Sequence, residues 1–310
     1  MTEKTVYGVI GPTAAGKSAL ALQAAEALGG QIICMDSMQV YRGMDIGTAK
    51  PDAEERRRVP HHLLDIRDPG EGFTVSDWVA EAERIISRVD VPILVGGTGL
   101  YLQALMQGSA LGGVEGDEAL RDRYRAYAAE HGAQALHDLL REKDPSSAER
   151  LHPHDVRRVI RALEVAEKTG KPMEARFSFS GEGSPYRFVL AAPCPERPLL
   201  YAAINKRVDD MMKKGLLEEV RALYDAGIDE KSQAIQGLGY KELYLYFRGE
   251  LPLDRAVDLI RTRTRHYAKR QITFFRRFEN CVWLTDADPD ANLKKAMAVF
   301  RGASAGGVTD

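Results

Sequence analysis

The stretch Gly-Pro-Thr-Ala-Ala-Gly-Lys-Ser at residues 11–18 decides the fold of this chain, because it fits the phosphate-binding loop pattern G-x-x-x-x-G-K-[ST] at every fixed position. An apolar run at residues 6–10 predicts a buried strand before the loop, and residues 17–28 have the pattern of a helix after it. A loop in this context holds an anion with its backbone N–H groups and with the positive end of the helix. Linked phosphates are therefore the predicted ligand, with Lys17 neutralising phosphate oxygens and the Ser18 hydroxyl ligating Mg²⁺.

The composition is typical of a globular protein and disfavours several other classes. The 310 residues leave room for one large domain or two smaller ones. The three cysteines, Cys34, Cys194 and Cys281, lie far apart without a C-x-x-C pair, which disfavours a disulfide framework and a zinc site. Such separate thiols fit a reducing cytoplasm best, which is the expected location. No apolar run approaches the roughly 20 residues of a membrane-spanning helix, so we expect no membrane partner.

The order of the predicted elements indicates the fold class. Strands alternate with helices over the first hundred residues, which predicts an α/β, P-loop NTPase-like core with a parallel sheet. The pattern becomes helical after a glycine-rich stretch at residues 109–116. The predicted parts are a discontinuous catalytic core at 1–111 and 191–301, a mostly helical inserted domain at 112–190, and a flexible tail at 302–310.

Polar residues follow two of the predicted strands. Ligands of parallel sheets bind at the carboxyl ends of the strands, so Asp36 and Thr98 should both face the phosphate loop. The Asp36 carboxylate is a candidate general base or water-mediated Mg²⁺ ligand, although Asp-Ser is also good turn chemistry. Thr98 offers a hydroxyl, and a plain strand-to-helix turn is the alternative there. The adjacent His61 and His62 lack a third ligand, which favours a structural or hydrogen-bonding role over a metal site.

Basic residues are concentrated in two helical stretches of a chain whose net charge is −2. Residues 259–278 contain seven Lys or Arg and no acidic residue, with aromatic residues between them. Arg157, Arg158 and Arg161 share one face of a helix that Asp155 is expected to cap and that Gly170 is expected to end. Such charge neutralises phosphates, so both stretches are candidate nucleic-acid surfaces, and a solvated face with local ion pairs is the alternative for the three arginines.

Eight motifs occur in one order along most of the chain. They are GPTAAGKS (11–18), DSMQVYRGMDIGTAKP (36–51), VPHHLLD (59–65), GGTGLY (96–101), HPHDVRRVIRALEV (152–165), RVDDMMKKGLLEEVRAL (207–223), QGLGYKE (236–242) and KRQITFFR (269–276). Together they resemble the tRNA dimethylallyltransferase family, also called the tRNA isopentenyltransferases, over residues 6–277.

That resemblance implies transfer of a dimethylallyl group from dimethylallyl diphosphate to N6 of adenine 37, which follows the anticodon, in tRNAs reading codons that start with U. It implies Mg²⁺ as the cofactor, and the tRNA anticodon stem-loop and dimethylallyl diphosphate as partners of a protein that we expect to be a monomer. Asp36 matches the general base and Arg207 an arginine that assists the diphosphate, and Lys17 and Thr98 complete the implied catalytic set. The implied diphosphate-binding residues are Gly11, Thr13, Ala14, Ala15, Gly16, Lys17 and Ser18.

The implied tRNA contacts lie in both the core and the helical insertion, which corresponds to the domain that binds the anticodon arm. Many members carry Gln where this chain has Arg157, whereas Arg158 and Arg161 remain in the family's pattern. The implied contacts are Asp36, Ser37, Met38, Gln39, Thr98, Arg121, Arg157, Arg158, Arg161, Gln236, Gly239, Tyr240 and Lys241.

Other functions share part of these features. A P-loop small-molecule or nucleotide kinase has the same core and loop, but it transfers a γ-phosphate and does not need an acid-free basic segment. A prenyltransferase acting on free adenine nucleotides does not need the basic surface. A GTP-dependent tRNA-binding switch protein requires a guanine-reading motif, and the chain contains no N-K-x-D.

Overall fold

Six parallel strands form one sheet in the order β3-β2-β4-β1-β5-β6. The computed structural model describes residues 3–107, 116–172 and 184–305. The strands are β1 (Lys4–Ile10), β2 (Gln31–Cys34), β3 (His61–His62), β4 (Pro92–Gly96), β5 (Tyr186–Pro193) and β6 (Cys281–Leu284). The predicted α/β class with a parallel sheet is therefore confirmed.

Helices connect these strands and also form a separate helical unit, which is described below. They are α1 (Lys17–Leu28), α2 (Ala53–Arg58), α3 (Val75–Ile86), α4 (Gly99–Met106), α5 (Glu118–Lys143), α6 (Pro145–Arg150), α7 (Val156–Thr169), α8 (Arg197–Lys213), α9 (Leu216–Asp225), α10 (Tyr240–Phe247), α11 (Leu253–Phe275) and α12 (Pro289–Ala305).

Both faces of the sheet are buried, because successive residues of a strand point to opposite faces. In β1, Val6 and Ile10 belong to one buried cluster, whereas Tyr7 and Val9 belong to another. Helices α3, α4 and α8 to α11 contribute to the first cluster, and α1 and α12 contribute to the second. Burial on both sides explains why β1 is apolar at nearly every position instead of at alternate ones.

The central strands end at one edge of the sheet. β1 pairs with β4 as far as Ile10 and Gly96, and β2 pairs with β4 as far as Cys34 and Val95. The phosphate loop, the segment that begins at Met35 and the loop after Gly96 therefore leave the sheet side by side, as the parallel topology requires.

The chain divides into two compact units, Met1–Met106 with Phe179–Asp310, and Gln107–Ser178. The sequence placed the insertion at 112–190, but β5 begins at Tyr186, so residues 186–190 belong to the sheet. The mixed sequence of β5, with Tyr, Arg and Phe before its apolar end, does not have the pattern of a fully buried strand.

The helical unit has its own small core. Leu120, Leu136 and Leu140 of α5 pack with Val159 and Leu163 of α7. α5 contains a break at residue 132, a glycine with φ of 87°. The predicted caps of α7 are also present, because the side chain of residue 155, an aspartate, accepts a hydrogen bond from the third residue after it, and a left-handed glycine at 170 ends the helix.

Two sequence expectations concern residues at the limits of the structure. Residues 302–305 were expected to begin a flexible tail, but they continue α12, and residues 306–310 lie outside the described residues. Most of the glycine-rich stretch, residues 108–115, also lies outside them. Among the described helices, none combines the length and apolar character that crossing a bilayer requires.

Gly96 tests how closely the strand ends approach each other. A Cβ atom on Gly96 would lie 2.0 Å from the backbone oxygen of Met35. This oxygen accepts a hydrogen bond from the backbone N–H of Thr98, so displacing it would break that bond. We expect Gly96→Ala to lower the free energy of unfolding by about 1–3 kcal/mol, the usual cost of forced overpacking. Urea unfolding followed by circular dichroism measures this change. Gly70→Ala is the control, because nothing lies within 4 Å of a Cβ there, and equal stability of the two variants would contradict the close approach.

Candidate active site

The phosphate loop is a tight turn that ends in a helix N-terminus. Gly11 and Gly16 have φ angles of 129° and 84°, and Ala14, which is not a glycine, also lies in the left-handed region with φ of 62°. A Cβ on Gly11 would lie 3.0 Å from the backbone oxygen of Pro193, so the start of the loop needs glycine for space as well as for conformation. α1 begins at Lys17, and its first backbone N–H groups have no partner within the helix, which makes them available to an anion.

Lys17 and Arg207 place two positive charges beside this loop. The Lys17 amine donates a hydrogen bond to the backbone oxygen of Pro12 (2.7 Å). Burial, and then the positive charge of Arg207, lower the pKa of Lys17 to about 7, against the opposing effect of Asp36. Burial also lowers the pKa of Arg207. Within the described ranges no acidic side chain forms an ion pair with either group, so a bound polyanion would relieve the repulsion between them.

Asp36 follows β2, where it forms a turn and also lies close to the phosphate loop. Its Oδ1 accepts hydrogen bonds from the backbone N–H groups of Met38 (2.8 Å) and Gln39 (3.4 Å), and these two bonds form the turn that the sequence suggested. The charge of Asp36 acts on both Lys17 and Arg207, so the carboxylate also belongs to the cleft. The turn fixes the orientation of the carboxyl group through one oxygen, which suits a positioned base.

Thr98 joins the loop after β4 to the segment that carries Asp36. Its Oγ1 accepts a hydrogen bond from the backbone N–H of Ser37 (3.2 Å), and its own N–H donates to the oxygen of Met35 (3.2 Å). Tyr267 of α11 lies near both groups. Burial and the charge of Asp36 raise the pKa of Tyr267, while hydrogen bonds with the side chains of Gln271 and Thr98 lower it. The core thus brings together all four residues predicted to be catalytic, and Tyr267 adds a phenol that sequence patterns did not single out.

The segment at residues 36–51 is held in place by two charged residues that the sequence did not single out. The carboxylate of Glu219 in α9 accepts hydrogen bonds from the backbone N–H groups of residues 45–47, at 2.8, 2.7 and 3.0 Å. The side chain of Lys50 is buried, and its amine donates to Tyr41 O and to the carboxylates of Asp45 and Asp65. Both residues lie inside family motifs, but no spacing rule indicates that Glu219 binds backbone groups far along the chain or that Lys50 binds the carboxylates of Asp45 and Asp65.

Residues 236–241 form hydrogen bonds within the core, and Tyr240 is buried behind the site. Tyr240 is buried, with 1% of its surface exposed, and its hydroxyl donates to Glu219 (2.7 Å), so the tRNA contact predicted for its side chain does not fit this conformation. Gly239, at φ of 94°, begins α10 by donating to Glu242. The Gln236 amide donates to the backbone oxygen at residue 230 and, like Lys241, is not buried.

In the helical unit, the predicted arginines differ in their partners. Arg121 contacts both oxygens of Glu164, whose side chain is fully buried, and Arg161 pairs with the same carboxylate. Burial tends to raise the pKa of Glu164, but hydrogen bonds and the arginines lower it. Arg157 and Arg158 are exposed, and Arg158 pairs with the helix cap. These two arginines are therefore the ones accessible to a large partner, whereas Arg121 and Arg161 also hold the unit together.

Histidines 61 and 62 have structural hydrogen bonds. The Nδ1 atom of His61 lies 2.8 Å from Val59 O, and Nε2 of His62 lies 2.7 Å from Oε1 of Gln31, which ties the short edge strand β3 to its neighbours. A cavity of about 550 Å³ lies beside them, and none of the predicted site residues lines it. In the described part of the chain, no group of three or more His, Cys, Asp or Glu is arranged to hold a metal.

Arg207 provides a test of the anion site. We expect Arg207→Gln to weaken the binding of inorganic diphosphate about tenfold to a hundredfold, because a hydrogen bond between charged groups contributes about 1.5–3 kcal/mol. Isothermal titration calorimetry measures the affinity. Lys206→Gln removes the same charge from the neighbouring residue, which is 77% exposed and pairs with Asp210, and we expect no more than about a twofold change. Equal affinities of the two variants would exclude Arg207 from the site.

Known proteins resemble this chain in sequence and in fold. The model of the family described as IPP transferase matches residues 39–278. A tRNA dimethylallyltransferase of Geobacillus thermodenitrificans is 47% identical over 305 residues, which cover 97% of this chain and 96% of that protein. One from Halalkalibacterium halodurans is 45% identical and covers 96% of each.

Two solved structures extend the comparison to the fold. A full-length tRNA isopentenylpyrophosphate transferase of Bacillus halodurans is 42% identical, with a TM-score of 0.73 over 98% of both chains. A eukaryotic dimethylallyltransferase, described as acting on tRNA, is 27% identical, with a TM-score of 0.81 over 98% of this chain and 80% of that one. This chain therefore belongs to the tRNA dimethylallyltransferase family, a family of transferase enzymes.

Proposed function

We propose that the protein transfers a dimethylallyl group from dimethylallyl diphosphate to N6 of adenine 37 in tRNAs that read codons starting with U, and releases diphosphate. The observation that carries this proposal is the pair Lys17 and Arg207, two half-buried cationic groups beside the phosphate loop, with the Asp36 carboxylate next to them. A leaving group with several negative charges and a nucleophile that must lose a proton need these two kinds of group side by side.

The reaction makes one bond and breaks one. The bond between the allylic carbon and the diphosphate oxygen breaks, and its electron pair leaves with the diphosphate. Lys17, Arg207 and the loop N–H groups stabilise that departing charge, and they do so best where water is excluded. The lone pair of N6 forms the new C–N bond, which makes the nitrogen acidic, and its proton passes to the Asp36 carboxylate.

We propose Mg²⁺ as the metal, with Ser18 as its protein ligand. Mg²⁺ keeps several waters and takes few protein ligands when phosphate oxygens supply the rest, so a full cluster of acidic residues is not required. The Ser18 side chain is exposed at the N-terminus of α1, next to Lys17, which fits this arrangement. Bound there, the ion would add positive charge to the leaving diphosphate.

The acceptor is the anticodon stem-loop of tRNA. An adenine in that loop is stacked, so it must leave the stack to reach Asp36, at a cost of a few kcal/mol that contacts with the RNA backbone offset. The exposed Arg157 and Arg158 of the helical unit supply positive charge for such contacts. So do the exposed Lys269 and Arg270 of α11, which lie in the stretch without acidic residues at 259–278. We propose that the protein acts in the cytoplasm as a monomer.

The deciding experiment uses the full chain with dimethylallyl diphosphate, Mg²⁺ and bulk tRNA, followed by mass analysis of the nucleosides. We expect N6-dimethylallyladenosine, located at position 37 by fragment mapping. Formation of ADP from ATP without this product would support the kinase instead. Equal modification of free adenine nucleotides would support the alternative prenyltransferase.

Asp36→Asn tests the base, because the amide keeps the turn but cannot accept the proton. We expect kcat to fall about 10²- to 10⁴-fold, the usual contribution of a general base, while diphosphate affinity stays within about threefold. Asp229→Asn is the control, since Asp229 accepts the same kind of bond from the backbone N–H two residues later but is exposed. Full activity of Asp36→Asn would refute the assignment.

The double variant Arg157→Gln, Arg158→Gln tests the tRNA arm. We expect tRNA affinity to fall and the slope of log K against log salt concentration to decrease by about one for each phosphate that the protein no longer neutralises. Filter binding at several salt concentrations measures both. The control replaces Arg125 and Arg141, two exposed arginines of α5 that pair with acids on their own helix. An unchanged slope for the first variant would show that these two arginines do not contact the RNA.

A further inference from the structure

The side-chain amide of Gln271 joins two loops of the core. Gln271 lies in α11 and is buried, with 5% of its surface exposed. Its Oε1 accepts a hydrogen bond from the backbone N–H of Thr13 (2.8 Å), and its Nε2 donates to the backbone oxygen of Gly97 (3.0 Å). Because one partner is a donor and the other an acceptor, only one orientation of the amide satisfies both.

The bridge lies where the sheet no longer holds the two loops together. Backbone pairing between β1 and β4 ends at Ile10 and Gly96, and beyond these residues both strands continue as loops. Thr13 and Gly97 lie beyond that limit, so the amide of Gln271 continues the connection between the two segments after the ladder has ended. A Cβ on Gly97 would lie 2.1 Å from Nε2, so a side chain at residue 97 would displace the amide.

The two loops carry opposite halves of the proposed reaction. Thr13 belongs to the loop that would hold the diphosphate. Gly97 precedes Thr98, whose hydroxyl accepts from the N–H of Ser37, the residue after Asp36. A continuous series of hydrogen bonds thus runs from the donor loop through Gln271 to the segment that carries the base.

Helix α11 is a firm support for this bridge. Ala268 of α11 is fully buried and forms a cluster with Leu200 and Ile204 of α8, against which Ala14 and Ala15 of the phosphate loop pack. Tyr267, one helical turn before Gln271, lies on the same face of α11, and its pKa is affected by the side chains of Gln271 and Thr98. Both loops therefore contact a single helix, and their separation depends on it.

We propose that Gln271 is a positioning residue that fixes the distance between the phosphate loop and the Thr98–Asp36 segment, so that the allylic carbon of the donor meets N6 of the acceptor. This role rests on the proposed function. Misplacing reacting groups by about 1 Å costs on the order of 10²-fold in rate, so a small opening of the two loops has a large effect.

Gln271→Met tests the role, because methionine has a similar length and shape but lacks the amide. We expect kcat at saturating dimethylallyl diphosphate and tRNA to fall about 10- to 100-fold, with the affinity for inorganic diphosphate and for tRNA within about threefold. Gln271→Glu can still accept from Thr13 N–H but cannot donate to Gly97 O, and we expect it also to lower kcat. A kcat within threefold of the wild type for Gln271→Met would overturn the proposal.

Phe275→Leu separates positioning from general support, because Phe275 is fully buried in the same helix but is not part of the bridge. We expect it to lower the melting temperature while keeping kcat within about threefold. A kcat loss in Phe275→Leu equal to that in Gln271→Met would mean that Gln271 only stabilises the helix, and would overturn the proposal.

Hydrogen exchange at the Thr13 amide reports the bridge without any reaction. We expect this amide to be protected in the wild type and to exchange at least tenfold faster in Gln271→Met. Unchanged exchange would overturn the bridge whatever the reaction. A wild type with a protected amide that fails to modify tRNA would instead refute the proposed function, so the two failures are distinguishable.

Discussion

The parallel pairing of β1 with β4 and of β4 with β2 is the constraint on which the site depends. Parallel strands bring their carboxyl ends to one edge, so the phosphate loop, Asp36 and Thr98 meet although they are far apart along the chain. The close approach of Gly96 to Met35 shows how little room this edge has. Helices on both faces keep the sheet buried, and the loops therefore extend from a well-packed sheet.

The charges of Lys17, Arg207 and Asp36 are the second feature of the site. Burial lowers the pKa of both Lys17 and Arg207, and the positive charge of Arg207 lowers that of Lys17 further, which shows that placing these two groups here is unfavourable. A bound diphosphate would raise the pKa of Lys17 again, since it would add negative charge beside the amine. Asp36 compensates only in part, because it supplies one negative charge against two positive ones. This arrangement of charges supports the proposed reaction, in which a diphosphate departs beside a proton acceptor.

A second group of residues fixes these positions without taking part in chemistry. Glu219 gathers three backbone N–H groups and the Tyr240 hydroxyl, and Lys50 binds two carboxylates from within the core. In the helical unit, Glu164 has the same function for Arg121 and Arg161. The side chains of Lys50 and Glu164 are buried and Glu219 is half-buried, and each forms several hydrogen bonds, so removing one of these residues would leave its partners unpaired.

The sequence by itself determined the phosphate loop, the parallel α/β class, the caps of α7 and the family, because these depend on local spacing and on residue types in a fixed order. It also indicated Asp36 and Thr98, since strand ends can be located from apolar runs. Only the tertiary structure decided that Tyr240 is buried, that residues 186–190 pair with β1, and that Gln271 connects two loops. Those features arise from contacts between residues up to 258 positions apart, and neither periodicity nor a motif specifies which distant backbone group a side chain will reach.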